Sequence, residues 1–463
     1  MPTDDSPRAV PFAVDSTDRI PAERYHDQAF FDLEAEHLWS SVWQMACRLQ
    51  EIPNAGDFVE YTNLGKSVIV VRDTNGDVNA FHNACRHRGV QLAVDRGCAK
   101  NGFVCPFHGW CYGLDGANTF VYSPDHFRDE NLVPDELNLR PCRVELWGGS
   151  AFINHDDDAP PLRDSLGPFA PAMEAFNVED MQIEWWESAV LPVNWRLVLS
   201  AFLEGYHVRT THPELSPPGT RDKDTYAPSR PGVDYASRYA GSDDSQTQVD
   251  NFLYYIKNLG EGMGGMVHAR EIAVAESIRH MDLPEPATAS RDFTAALYVA
   301  LAEWGRESGT PMPDFDAMAA QGIQSGVYYA FPHYFLLPVY ASASAYRVRP
   351  IGPEETLFEI WSLAPFAPGE QPPTPGTPTP MALDDERWPW IPLQDFSNLP
   401  RQQKGLHAKG FEYMRLAESV EGTISNVERL VDGYLAGVDS QRLLDGAQHV
   451  SGKIGSPIAD LGF

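Results

Sequence analysis

The sequence predicts an α+β fold in two parts, a small all-β domain followed by a larger domain that combines helices with an antiparallel sheet. The first observation is a series of short β-type runs, including residues 59–61, 67–72 and 78–82, separated by turn signals such as Asn75-Gly76-Asp77. The second is a further group of such runs between 327 and 363. The third is helical periodicity on either side of the first group. We therefore expect a helical segment at 1–44 that packs on the larger domain, an all-β domain at 45–155, and the larger domain at 156–463.

The elements follow from local patterns. Residues 23–43 have an apolar stripe that predicts an amphipathic helix, formed by Phe30, Phe31, Leu33, Leu38, Val42 and Trp43. An acidic, proline-bearing link at 156–161 marks the domain boundary. The other predictions are a helix at 192–211, a loop rich in Pro, Gly, Ser and Asp up to about 246, strands at 327–331, 334–339, 343–348 and 356–363, an extended loop at 365–380 with seven prolines, and a helix at 408–437.

Charge and composition exclude several classes of protein. The formal net charge of −30 argues against nucleic acid or an anionic membrane as a partner, since both need a basic surface. No run approaches the 18 or so apolar residues that span a bilayer. Residues 1–12 carry two aspartates and lack the apolar core of a secretory signal, so we expect a cytoplasmic protein.

All six cysteines fall in the first third of the chain, where two of them alternate with histidines. Cys85 and His87 form one pair, Cys105 and His108 form the second, and 17 residues separate His87 from Cys105. One thiolate and one imidazole from each of two loops is the ligand set of a Rieske 2Fe-2S cluster, in which two cysteines hold one iron and two histidines hold the other.

A structural zinc with two Cys and two His is the alternative for the same four residues. Zinc fingers place their pairs as Cys-Cys and then His-His, whereas these pairs alternate. The remaining cysteines, at 47, 98, 111 and 142, are predicted to be small core residues.

A second group of metal-binding residue types lies in the predicted helix after the boundary. Glu204-Gly-Tyr-His207 is followed, after four residues, by His212. Two imidazoles and one carboxylate form the facial triad that binds ferrous iron and leaves positions open for dioxygen. Asp395, which follows the proline-rich loop and opens a helical stretch, is the candidate carboxylate. Its rivals are Asp384, Asp385 and Glu386.

With these residues in place, the chain resembles the α subunits of Rieske non-haem iron ring-hydroxylating oxygenases. The resemblance covers nearly the whole length, in the segments Leu38-Trp39…Val42-Trp43, the two Cys/His loops, Asn194-Trp195-Arg196, Glu204 to His212, and Asp395 to Leu406. It implies a Rieske domain and a helix-grip (START-like) domain whose curved antiparallel sheet covers the iron.

The resemblance also implies roles for single residues. Cys85, His87, Cys105 and His108 would hold the 2Fe-2S cluster, and His207, His212 and Asp395 would hold a mononuclear Fe(II). Glu204 would bridge to His108 of a neighbouring subunit, which implies a homotrimer, α3 or α3β3. Two departures stand out: many relatives have Asp at the bridge, and relatives often carry Asn where this chain has Ser200.

The implied activity is that of a terminal oxygenase. Electrons from NADH or NADPH would arrive through a separate reductase, with or without a ferredoxin, and oxygen from O2 would enter a small hydrophobic, aromatic substrate by hydroxylation or cis-dihydroxylation. Oxidative demethylation or monooxygenation is the alternative within the family. A Rieske electron carrier with an inactive ligand-binding domain is the alternative from another class. Candidate pocket residues are Phe202, Val208, Tyr329, Phe335, Leu337 and Tyr340.

The segment from Gly260 to Gly265 fits the dinucleotide-binding pattern G-x-G-x-x-G. A dinucleotide site needs a following strand and an acidic residue about 20 positions on. The chain instead reaches Asp282-Leu-Pro-Glu-Pro, so we interpret the glycines as a flexible loop near the pocket entrance.

Overall fold

A computed structural model describes residues 8–218 and 243–463. The chain forms two compact units: a small unit, Trp39–Leu162, and a large unit made of Met1–Leu38 and Arg163–Phe463. The sequence predicted bounds of 45–155 for the small domain. Most of the loop predicted to extend to about 246 lies outside the described residues.

The N-terminal segment of the large unit holds a short strand and a short helix, β1 (Arg19–Pro21) and α1 (Gln28–Leu33). The side chain of Asp27 caps α1 by accepting the N–H of Phe30, and the helix ends in a π-helical turn at Glu34–Leu38. The predicted helix at 23–43 is therefore too long at both ends. The later apolar residues of its stripe are buried, but they lead into a strand.

The small unit is almost entirely antiparallel β structure. Its elements are β2 (Gln44–Arg48), β3 (Asp57–Asn63), β4 (Lys66–Arg72), β5 (Val78–His82), β6 (Arg96–Cys98), β7 (Phe103–Val104), β8 (Cys111–Tyr112), β9 (Asn118–Phe120), the one-turn helix α2 (Pro134–Leu137), β10 (Arg143–Trp147) and β11 (Ser150–Asn154). They form three sheets, ordered β10-β11-β2, β5-β4-β3-β6 and β7-β8-β9. The predicted all-β domain is confirmed.

The rest of the large unit mixes helices with a long sheet. Its elements are α3 (Leu162–Ser165), α4 (Phe169–Ala175), β12 (Gln182–Leu191), α5 (Trp195–Phe202), α6 (Val208–Thr211), α7 (Ser245–Met263), α8 (Ala269–Ser277), α9 (Ala289–Ser308), α10 (Phe315–Ala320), β13 (Tyr328–Ala330), β14 (Tyr334–Val339), β15 (Ser342–Gly352), β16 (Glu355–Ala364), β17 (Thr379–Pro380), α11 (Trp390–Leu406), β18 (Tyr413–Arg415), α12 (Gly422–Ala436), α13 (Ser440–Val450) and β19 (Gly452–Lys453).

One seven-stranded sheet, ordered β17-β12-β16-β15-β14-β13-β19, organises the described part of the large unit. Every neighbouring pair is antiparallel except β12 with β17. The sheet contains the four strands predicted between 327 and 363 as β13, β14, β15 and β16, so this prediction is confirmed. The predicted helix at 408–437 was wrong in its first half, which contains β18. None of the described helices is long and apolar enough to cross a membrane.

A buried ionic cluster joins the N-terminal segment to α12. Arg24 contacts the carboxylate of Glu428 at 3.0 Å and that of Asp432 at 2.6 Å. Arg196 on α5 contacts Glu428 at 2.5 Å and Glu34 at 2.8 Å. Beside these pairs β1 runs antiparallel to β18. The first and last parts of the large unit are therefore held together by ion pairs that are largely shielded from water.

The glycine-rich segment is the end of α7 rather than a flexible loop, which corrects our interpretation. Gly260 and Gly262 lie within the helix, and Gly264 ends it with a φ of 66°. A β-carbon on Gly262 would lie 2.5 Å from the indole of Trp390. Glycine at this position thus allows α7 and α11 to pack closely.

Candidate metal centres

The two Cys/His loops of the small unit share one backbone pattern. The N–H of Gly89 donates to the carbonyl of Cys85 at 2.8 Å, and the N–H of Gly109 donates to the carbonyl of Cys105 at 2.9 Å. Both glycines have a positive φ, 76° and 73°, which glycine adopts without strain. Each loop thus forms the same tight turn and presents one cysteine and one histidine.

The predicted ligands of these loops are two buried cysteines and two histidines whose rings lie close together. Both cysteines are 2% exposed, and the ring centroids of His87 and His108 are 4.6 Å apart. The Nδ1 atoms of both histidines are buried and have no hydrogen-bond partner among the described residues. Two buried thiols beside two unpartnered imidazole nitrogens fit the donor set of a Rieske cluster.

Neighbouring side chains fix these ligands in place. The Tyr112 hydroxyl lies 3.2 Å from the sulfur of Cys85, and the indole of Trp110 stacks on His87 with an interplanar angle of 10°. Burial raises the pKa of the Cys105 thiol, but the backbone N–H groups of Phe107 and His108 outweigh burial and hold that pKa below its ordinary value. These N–H groups stabilise a thiolate, the form that binds iron.

The second group forms around a break in the predicted helix at 192–211. The helix α5 ends at Phe202, and a single turn, α6, follows with His207 at its N-terminal cap and His212 at its C-terminal cap. The carboxylate of Glu204 accepts the backbone N–H groups of Tyr206 and His207, which replaces the hydrogen bonds that a continuous helix would make. The break turns both histidines toward one point.

Asp395 completes this group from the second turn of α11. Its Oδ1 atom lies 3.2 Å from Nε2 of His212 and 3.9 Å from Nε2 of His207. The ligand-type atoms of the three residues lie within 4.8 Å of one another, and Asp395 is only 4% exposed. Of its rivals, Asp384 and Glu386 are exposed, and Asp385 pairs with Arg387.

One hydrogen bond orients each of the two imidazoles, between His212 and Gln394 and between His207 and Glu204, and neither was predicted from the sequence. Oε1 of Gln394 lies 2.7 Å from Nδ1 of His212, while Nε2 of Gln394 donates to the Glu214 carboxylate at 3.1 Å. Since a carboxylate accepts, the amide oxygen of Gln394 must face His212, and Nδ1 of His212 must carry the proton. That tautomer leaves the Nε2 lone pair free for a metal.

Glu204 likewise orients the imidazole of His207 through a hydrogen bond. Its Oε1 lies 2.6 Å from Nδ1 of His207. Burial lowers the pKa of His207, but the hydrogen bond and charge of Glu204 and the charge of Asp395 outweigh it and leave the pKa above its ordinary value. His207 therefore lies among negatively charged groups, and these surroundings favour a bound cation. Ser200, at the position where relatives often carry Asn, instead donates to the carbonyl of Arg196 at 2.7 Å.

A cavity of about 140 Å³ opens beside the triad. Four of the predicted pocket residues line it: Phe202, Val208, Leu337 and Tyr340. The other two, Tyr329 and Phe335, are instead fully buried in the core, where their rings lie 4.8 Å apart. Other lining residues that the sequence did not single out include Phe252, Met263, Met266, Thr294, Tyr298 and Tyr346. The lining is thus mainly apolar and aromatic, with the triad at one side.

The two donor sets and the two units define a protein with an iron–sulfur domain and a domain built around a mononuclear metal. Comparison with known families agrees. Residues 42–126 match the Rieske [2Fe-2S] domain, and residues 177–437 match the catalytic domain of the ring-hydroxylating alpha subunit. The chain belongs to the ring-hydroxylating alpha subunit family, as the resemblance implied.

Relatives and solved structures point the same way. The chain is 35% identical over 199 residues to the oxygenase subunit of carnitine monooxygenase from Escherichia coli K12, covering 42% of this chain and 53% of the relative. It is 33% identical over 197 residues to the oxygenase subunit of glycine betaine monooxygenase from Pseudomonas aeruginosa, covering 42% and 45%. The matched region thus spans about half the length of these relatives.

Two solved structures share the fold. One is a quaternary ammonium Rieske monooxygenase whose structure gave insights into carnitine oxidation and inter-subunit electron transfer, with a TM-score of 0.59, 17% identity, and coverage of 93% of this chain and 100% of that one. The other is naphthalene 1,2-dioxygenase with indole in its active site, with a TM-score of 0.61, 20% identity and 94% coverage of both chains.

Proposed function

We propose that this protein is the terminal oxygenase component of a Rieske non-haem iron system. The observation that carries the proposal is the placement of His207, His212 and Asp395 around one point beside an apolar cavity. A bound ferrous iron supplies oxygen activation at such a triad. With two electrons and two protons, one oxygen atom of O2 enters a C–H bond of the substrate and the other leaves as water, or both atoms add to a ring.

The protein's own residues prepare this chemistry. His207, His212 and Asp395 would hold the iron, while Gln394 keeps Nδ1 of His212 protonated and Glu204 hydrogen-bonds Nδ1 of His207. The apolar lining excludes water from the metal and its substrate. Cys85, His87, Cys105 and His108 would hold the cluster that receives electrons from NADH or NADPH through a reductase, with or without a ferredoxin.

Electron transfer between subunits is part of the proposal. Glu204 already hydrogen-bonds the iron ligand His207, so an imidazole that contacted its carboxylate would be one residue from the iron. We propose that this imidazole is His108 of a neighbouring subunit in a homotrimer, α3 or α3β3. Support comes from the exposed apolar side chain of Phe107, next to His108, and from the inter-subunit electron transfer described for the quaternary ammonium monooxygenase. The proposed location is the cytoplasm.

A small hydrophobic aromatic compound is the first candidate substrate. A cavity of 150 Å³ is enough to hold benzene, and this one measures about 140 Å³. The rings of Phe202, Tyr298, Tyr340 and Tyr346 can pack against a flat ring by stacking or edge contacts.

A quaternary ammonium compound is the second candidate, because the same aromatic faces attract a desolvated cation. The described lining contains Glu204 and Asp395 but no Lys or Arg, so its charge also favours a cation. The carnitine and glycine betaine relatives support this candidate. Hydroxylation of a carbon bonded to nitrogen would then release an aldehyde and the demethylated or cleaved amine.

The variant His207→Ala tests the iron assignment. We expect the variant to keep the visible spectrum of the cluster, to lose the third iron per chain beyond the two of the cluster, and to form no product. His280→Ala, at an exposed histidine of the same unit, is the matched control and should keep all three properties. Turnover by His207→Ala would contradict the assignment. A wild-type protein with only two irons per chain would favour the electron carrier.

The cluster and the substrate need separate tests. Cys85→Ser should abolish the visible spectrum. An unchanged spectrum would show that Cys85 does not hold a cluster. A surrogate reductase with indole, anthranilate, carnitine and glycine betaine distinguishes the substrate classes by product. Hydroxylated rings identify the aromatic class, whereas aldehyde release coupled to NADH and O2 consumption identifies the quaternary amines.

A further inference from the structure

A second group of metal-binding residue types lies in the small unit, outside the two cluster loops. His82, Cys142 and His155 each place one ligand-type atom within 4.8 Å of the other two. The ligand-type atoms of His207, His212 and Asp395 lie within the same distance of one another. Neither the predicted cluster ligands nor the proposed oxygenase chemistry uses this group.

The sheets of the small unit bring the three residues together. His82 is the last residue of β5, Cys142 comes directly before β10, and His155 comes directly after β11. Because Arg143 pairs with Asn154 in the antiparallel register, Cys142 and His155 continue side by side beyond the strand ends. The N–H of Cys142 donates to the carbonyl of Ala80 at 2.9 Å, which fixes β5 beside them. Three separate strands thus converge, and sequence spacing alone could not reveal the group.

The chemistry of these side chains suits a soft or borderline cation. Nδ1 of His155 is buried and has no hydrogen-bond partner among the described residues. The His82 and His155 rings are stacked with their centroids 5.5 Å apart, and each ring has a nitrogen within 4.8 Å of the Cys142 sulfur. Burial lowers the pKa of His82 and lowers that of His155 to about 4, which keeps both imidazoles neutral and able to act as ligands. The thiol of Cys142 donates to the carbonyl of Asn154 at 3.3 Å.

Charged neighbours partly balance one another. The negative charge of Asp157 acts on both His82 and Cys142, and Asp157 forms an ion pair with Arg140. The positive charge of Lys66 acts on both histidines. Burial and the charge of Asp157 raise the pKa of the Cys142 thiol to about 12, so the thiol keeps its proton until a divalent cation replaces that proton at the sulfur.

We propose that His82, Cys142 and His155 form a zinc site. One thiolate and two imidazoles are three of the four ligands of tetrahedral Zn²⁺, and water or the Asp157 carboxylate can supply the fourth. On binding, the sulfur–hydrogen bond of Cys142 breaks, the proton goes to solvent and the sulfur–zinc bond forms, with no change of oxidation state. Such an ion would join the ends of β5, β10 and β11 three residues before the cluster ligand Cys85.

Zinc analysis of the whole protein with its cluster loaded tests the site. All variants would carry His207→Ala, so that zinc at the mononuclear centre does not obscure the result. After equilibration with Zn²⁺ and removal of free metal, we expect one zinc per chain, with one sulfur at about 2.3 Å in the zinc X-ray absorption spectrum. Cys142→Ser and His155→Gln should lose this zinc. Cys47→Ser, at another buried cysteine of the same core, should keep it.

Four outcomes would overturn the proposal. The first three are no retained zinc, zinc without sulfur in its ligand sphere, and zinc retained equally by Cys142→Ser and Cys47→Ser. The fourth is two sulfurs per zinc, which would place the ion in the cluster loops. The visible spectrum of the cluster reports whether each variant has folded. If Cys142→Ser loses that spectrum, His155→Gln decides. This result is independent of oxygenase activity, so failure of the zinc site and failure of the proposed function are distinguishable.

Discussion

At the scale of single residues, the sequence offered candidates for the metal ligands more readily than for the side chains that support them. Cys85, His87, Cys105 and His108 could be proposed as cluster ligands because their types and spacing are unusual. Asp395 could be proposed but not chosen over Asp384 on chemistry alone, since only the fold buries one and exposes the other. Gln394 carries no signal of its own, because its function depends on Glu214 and His212, both about 180 residues away.

The first prediction concerns the amide that orients His212. Gln394→Ala removes the acceptor for Nδ1 of His212, so the ring can rotate or change tautomer. We expect iron affinity or turnover to fall about 10- to 100-fold, the usual effect of removing such a partner. Iron content after dialysis against a weak chelator measures the affinity.

The matched control for that variant is Gln402→Ala, an exposed glutamine on the same helix, which should retain iron like the wild type. Equal iron retention by Gln394→Ala and Gln402→Ala would show that the hydrogen bond does not position the ligand.

At the scale of elements, the sequence predicted strands more reliably than helix bounds. The predicted starts of strands β13 to β16 agree with the observed starts within one residue, although β15 continues to Gly352 rather than ending at 348. Helix predictions failed where a side chain competes for the backbone, as Glu204 does after α5, or where glycine has a packing role. The glycines at the end of α7 were interpreted as a loop, because propensity cannot show that an indole from α11 occupies the space beside Gly262.

The second prediction concerns this helix contact. In Gly262→Ala the new methyl group would approach the Trp390 ring to 2.5 Å and the Ile391 side chain to 2.8 Å. We expect a loss of about 1–3 kcal/mol in the free energy of unfolding, as for other overpacked sites, despite the better helix propensity of alanine. The measurement is the urea midpoint of unfolding.

Gly405→Ala provides the comparison on α11, because nothing lies within 4 Å of the position its β-carbon would take. This variant should be as stable as the wild type or more stable. A Gly262→Ala protein that matched Gly405→Ala in stability would refute the close packing of the two helices.

At the scale of the whole molecule, stability depends on buried ionisable groups of the large unit. Burial, together with the charge of Arg347, lowers the pKa of His333 to about 3. The imidazole contacts the carbonyl of Val348 at 3.1 Å, and the charges of Arg349 and Glu359 also act on it. Because the folded pKa lies below the unfolded value, this group's contribution is complete above the unfolded pKa and is lost as the pH falls toward the folded pKa.

The third prediction follows from the lowered pKa of His333, which makes the folded protein less stable as the pH falls. Between about pH 7.5 and pH 5, the wild type should lose about 2 kcal/mol more stability than His333→Asn, since each pH unit below 6.5 costs about 1.36 kcal/mol. The buried Glu34 and Glu271, whose pKa values are raised to about 7, act in the opposite direction but equally in both proteins. Urea midpoints measured across this range test the difference, and parallel profiles would contradict it.

The ionic cluster between Arg24 and Glu428 also constrains the order of events on the ribosome. Synthesis must continue for 404 residues after Arg24 before its partner exists. The small unit is a continuous stretch of chain, so it can fold while the rest is still being made. Until α12 has been synthesised, Arg24 of the nascent chain lacks the Glu428 carboxylate that neutralises it in the folded protein. A ribosome that stalls before α12 therefore leaves the iron-binding unit unfinished and exposed to proteases, even when the iron–sulfur unit is already folded.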